Sequence, residues 1–109
     1  MPVANCIVSS DKRSGAGDLI ELWSRESGIS SENMTINIIV ADRQFGRSYS
    51  VMADLLLPSM WSGQSISALQ TGLTRALAHY FLLDLQEVLV ATRIIPSGRV
   101  VENGEEVTW

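Results

Sequence analysis

Residues 49–58 read Tyr-Ser-Val-Met-Ala-Asp-Leu-Leu-Leu-Pro, and the run from Val51 to Leu57 offers apolar side chains to both faces of a strand. A strand apolar on both sides is one buried on both sides. The spacing predicts a strand over Tyr49 to Leu57, closed by Pro58, which has no N–H to give to a ladder. Val88 to Ile95 has the same two-sided character and makes a second such strand. Between the two, Ile66, Leu69, Leu73, Leu77 and Tyr80 fall on one stripe of a helix, with Ser62 or Ser65 as its N-cap. The order is strand, helix, strand.

The chain before residue 49 repeats that order. Pro2 to Ser9 contains Val3, Ile7 and Val8 and reads as a strand. Ala16, Leu19, Ile20 and Trp23 recur at helical spacing, up to Gly28 in the place a left-handed cap prefers. Met34, Ile36, Ile38 and Val40 alternate as a further strand, and residues 41–48 form a loop. One β-α-β unit is therefore used twice, each with its strands parallel through a right-handed crossover. The expected fold class is α+β, a four-stranded mixed sheet with two helices on one face, in a single domain over residues 1–109. The Asn103-Gly104 pair adds a short C-terminal hairpin. The face without helices is also apolar, so it is expected to lie against other copies of the chain in a symmetric oligomer.

Composition narrows the function classes. The chain of 109 residues has net charge −4, which repels phosphate backbones and argues against nucleic acid as a partner. No apolar run is long enough to span a membrane, and the N-terminus has no export signal, so cytoplasmic residence is expected. The single cysteine, Cys6, sits in a strand pattern and reads as core. His79 has no second ligand near it in sequence, so neither a metal site nor a cofactor is expected. Gly15-Ala16-Gly17 lacks the lysine and hydroxyl residue of a phosphate loop.

The start Met1-Pro2 ahead of a strand, the polar Lys12-Arg13-Ser14 before the first helix, and Phe45-Gly46-Arg47-Ser48 between the middle strands together resemble the tautomerase superfamily. The doubled unit is similar to its longer members, of the macrophage migration inhibitory factor and malonate semialdehyde decarboxylase kinds. The resemblance implies a homotrimer and a cofactor-free enzyme that interconverts keto and enol forms of a small 2-oxo or unsaturated carboxylic acid. It also implies that Pro2, freed by loss of Met1, is the general base and acid. The physical basis is that a backbone amine beside apolar walls loses solvation of its cation, so its pKa falls toward working pH. By the same resemblance Arg13, with Lys12 as alternative, or Arg47 holds the substrate carboxylate. Phe45, Leu57 and Trp61 then wall the pocket, with Ser59 beside them.

Some positions depart from the pattern of the relatives. Leu57 and Ser59 flank Pro58 where the decarboxylase-like members carry two arginines, and Asn33 stands nearest to their aspartate. Water-activating chemistry, as in a hydratase, dehalogenase or decarboxylase, is therefore a weaker alternative than proton transfer. A trimeric scaffold that has lost its chemistry is another.

Overall fold

The computed structural model describes residues 1–12 and 14–109. Strand β1 is Val3–Ser9, helix α1 is Leu19–Ser27 and strand β2 is Thr35–Ala41. Strand β3 is Val51–Pro58, helix α2 is Gly63–Phe81 and strand β4 is Val88–Ile95. The order across the sheet is β2-β1-β3-β4. β1 runs parallel to β2 and β3 parallel to β4, while β1 and β3 meet antiparallel in the middle. The sheet is mixed because each crossover makes its own pair parallel and the two units face opposite ways. Strands β5 (Val100–Glu102) and β6 (Glu105–Val107) form the C-terminal hairpin, with Asn103 and Gly104 both at positive φ as a tight turn requires.

Several boundaries differ from the sequence reading. The first helix starts at Leu19, not near Ala16, because the Asp18 carboxylate caps it by accepting from the N–H groups of Ile20 and Glu21. The Ala16 N–H instead bonds the carbonyl of Tyr80. Ser62 is the cap of α2, its hydroxyl accepting from the Ser65 N–H. Strand β3 begins two residues late and includes Pro58.

The core lies between the sheet and the helices. Ala4, Cys6 and Val8 of β1 and Val51, Ala53, Leu55 and Leu57 of β3 alternate toward Trp23, Leu69, Leu73 and Leu77. Trp23 is fully buried, and its indole N–H is spent on the Leu69 carbonyl at 3.0 Å, tying α1 to α2. The helices approach so closely at Gly72 that a Cβ there would meet the backbone N and Cα of Ser27 at 2.9 Å. Gly72→Ala gains roughly 1 kcal/mol of helix propensity but overpacks rigid backbone at a cost of about 1–3 kcal/mol. The expected net loss of about 1 kcal/mol corresponds to a melting point lower by roughly 4–8 °C in calorimetry.

The opposite sheet face has no helix over it. It carries Val3 and Ile7 of β1, Ile39 of β2, Met52 and Leu56 of β3, and Leu89 of β4, and Ile7 and Ile39 are clearly exposed. A polar row crosses its centre. The Asn37 side-chain amide donates to the Asn5 side-chain Oδ1 at 2.8 Å, and Arg93 pairs with Asp54 at 3.0 Å.

Candidate active site

Pro2 precedes β1 and is fully buried, and its carbonyl accepts from the Thr35 N–H at 3.0 Å, which fixes the strand head. Met1, bonded to its nitrogen, forms one wall of a cavity of about 200 Å³ that Pro2 itself does not line. Asn33, the last residue of the short 3-10 turn before β2, and Pro58 with Met60 at the end of β3 line the same cavity. The rest comes from the C-terminal hairpin: Val100 and Val107, with Glu102 on β5 and Trp109 beyond β6. Trp109 is pinned by its indole N–H on the Ser59 hydroxyl at 2.9 Å and by its backbone N–H on the Ser97 hydroxyl at 2.8 Å.

The residues expected at this site divide. Ser59 stands at its rim as the anchor of Trp109. Leu57 is fully buried, because its place on β3 points it at the helices, so it is core and not a pocket wall. Trp61 packs against that core, with an indole N–H that is buried and has no partner among the described residues. Phe45 and Arg47 lie in the loop joining β2 to β3, at the Ser9 end of β1. Seven residues of strand separate that end from Pro2, roughly 20 Å. Phe45 is 84% exposed there and lines neither this cavity nor the one beside its own loop among the described residues, while the Arg47 guanidinium lies over the Tyr49 ring at 5.3 Å. Arg13 is outside the described residues. Cys6 is core as expected, and burial pushes its thiol up to about 12, so it is no nucleophile at neutral pH.

The duplication accounts for the split. Matching the units at their 3-10 turns places Glu87 where Asn33 is, and strand partners then place Ser50 where Met1 is and Ser9 where Pro58 is. These counterparts line a second, polar pocket together with Asp11 and the loop residues Gln44, Ser48 and Tyr49. The Glu87 carboxylate accepts from the Asp84 N–H and the Ser50 hydroxyl, and those two bonds hold its pKa below the ordinary range. The loop of Phe45 and Arg47 thus borders the counterpart pocket and not the one at Pro2.

The fold as a whole matches known architecture. A wild-type fused 4-OT solved as a symmetric trimer is 16% identical with a TM-score of 0.74, covering 96% of this chain and 95% of that one. The chain has the tautomerase-superfamily fold. N1, a member of the cis-3-chloroacrylic acid dehalogenase family, is 15% identical over 97% of this chain and 83% of its own, with a TM-score of 0.72. Macrophage migration inhibitory factor from Oncomelania hupensis is 10% identical over 99% and 98%, with a TM-score of 0.67. No family model and no curated protein matches by sequence.

The tautomerase fold was expected from Met1-Pro2 and the doubled unit, whereas the contributions of Glu102 and Trp109 were missed. A weak signal existed in the tail, where Val100, Val107 and Trp109 supply apolar groups to a ribbon too small for a core of its own.

Proposed function

We propose that this chain is a cofactor-independent tautomerase in which Pro2, freed of Met1, moves a proton between carbon and oxygen of a small carbonyl compound. The observation that supports this most is the position of Met1. It walls the cavity and is joined to a buried Pro2, so its removal would leave the Pro2 nitrogen as an amine next to the space Met1 occupied. Neutral, the amine takes the proton from carbon next to the carbonyl; protonated, it returns one. Asn33 supplies a neutral donor for the developing enolate oxygen. A carboxylate on the substrate would need Arg47 or Arg13 delivered by a neighbouring copy. The test is an intact mass lacking one methionine together with ketonisation of an aryl pyruvate enol. A retained methionine or no turnover would reject the reading.

Hydration is a second reading, favoured by the Glu102 carboxylate at the cavity, which could take a proton from water. Leu57 and Ser59 stand beside Pro58 where the resemblance to decarboxylase-like members implies two arginines, which weighs against it.

The proposal includes a homotrimer closed over the helix-free face. Ile7→Asp places a charge in the middle of that face without touching the helix-side core. In light scattering the native protein is expected at roughly three times the 11.9 kDa chain mass and Ile7→Asp near one chain mass. An unchanged mass for the variant would remove this face from the assembly.

A further inference from the structure

The polar row on the helix-free face has a direction. Asn37 on β2, Asn5 on β1 and Asp54 on β3 are cross-strand partners. Arg93 lies two residues past Ala91, the β4 partner of Asp54, and reaches back to the Asp54 carboxylate. The two ends of the row differ in kind. Asn37 spends an N–H on the Asn5 Oδ1 at 2.8 Å, and its own Oδ1 is an acceptor at the β2 edge. Arg93 spends its Nε–H on Asp54 at 3.0 Å, and the fork of terminal N–H groups, on a side chain 70% exposed, is a set of donors at the β4 edge. Within one chain these ends cannot meet, because three strand spacings, roughly 14 Å, separate β2 from β4. A second copy placed by a two-fold axis at the β4 edge brings Arg93 against Arg93, cation on cation. A head-to-tail copy brings the donor end of one row to the acceptor end of the next. Covering the face without such a partner would strip water from the guanidinium fork and leave its donors unsatisfied.

We infer that the Arg93 fork of each copy donates to the Oδ1 of Asn37 of the partner subunit, and that this contact fixes head-to-tail order and selects a second copy of this chain over a merely apolar partner. The inference rests on the proposed closure of copies over the helix-free face. Repeated around the assembly, the contact joins the rows of successive copies into one ring of hydrogen bonds, flanked by the apolar rows of Val3 with Leu56 and of Ile7 with Met52 and Leu89.

The sign of a charge placed at position 37 tests the contact. Asn37→Asp sets a carboxylate, and Asn37→Lys an ammonium, against the neighbouring Arg93. Asn37 is exposed on β2, so neither substitution disturbs the helix-side core. Dissociation is followed by sedimentation over a dilution series at low salt. Asn37→Asp is expected to need about tenfold more dilution than the native protein to come apart, and Asn37→Lys about tenfold less. Charge within the chain predicts the reverse order, because Asp54 two strands away and the net charge of −4 both disfavour a further acid. In an Arg93→Gln background the difference between the two variants is expected to shrink to about twofold. Equal dissociation of the two, or the reverse order, in a protein that still assembles would overturn the contact and leave the closure over this face standing. An undiminished difference in Arg93→Gln would overturn the role of Arg93. A native protein of one chain mass at every concentration would reject the closure, and this inference with it.

Discussion

Inserting one lysine between Met1 and Pro2 is expected to lower turnover by about 10²–10⁴-fold, the range that a positioned general acid–base contributes. The insertion blocks removal of the methionine and leaves the Pro2 nitrogen as an amide, which neither accepts nor donates a proton. It also keeps side chains in the cavity that Met1 walls. The strand head is undisturbed, since the bond from the Thr35 N–H goes to the Pro2 carbonyl. Pro2→Ala is a milder change, because alanine still offers an α-amine with an ordinary pKa of about 8. The expected order of activity is native, then Pro2→Ala, then the insertion. Native activity in the insertion variant would exclude the nitrogen from the mechanism.

Trp23→Ala should bring the largest loss of stability in the chain. The ring is fully buried between the helices and the sheet, and removing such a side chain costs about 3–5 kcal/mol. Against a total of about 5–15 kcal/mol for a domain, that is a large share. A melting point lower by roughly 15 °C or more is expected in calorimetry at fixed protein concentration. Trp23→Phe keeps most of the volume and loses the bond to the Leu69 carbonyl, so it should cost only about 1–2 kcal/mol. If Trp23→Ala melted within a few degrees of the native protein, α1 would not be held to α2 by this side chain.

Most of the architecture was legible because it is written in local periodicity. Val51 to Leu57 and Val88 to Ile95 are two-sided strands, and the stripes of Leu19, Ile20 and Trp23 and of Leu69, Leu73 and Leu77 each define a helix face. The start of α1 was misread because Ala16 fits the apolar spacing, while the stronger signal was the Asp18 carboxylate two residues ahead of the N–H it caps. The candidate site was legible only where it lies in sequence next to an element, as Pro2 and Ser59 do.

Its other half depends on the hairpin folding back to the head of β1, a tertiary event held by the bonds from Trp109 to Ser59 and Ser97. No periodicity of three-residue strands announces that. Phe45 and Arg47 lie away from Pro2 within one chain for a related reason. They occupy the first copy of a duplicated unit, and the duplication puts their loop beside the counterpart pocket of Ser50 and Glu87. Leu57 misled through its neighbour: Pro58 reaches the cavity, and a residue one step along a strand points to the opposite side.

The most direct test of the account is the ¹⁵N signal of Pro2 followed from pH 5 to pH 10 in the native protein. A free amine titrates, and burial beneath apolar walls is expected to bring its midpoint below the ordinary α-amino value of about 8. A Pro2 nitrogen that shows no titration across that range would be an amide under a retained Met1, and would contradict the proposed chemistry.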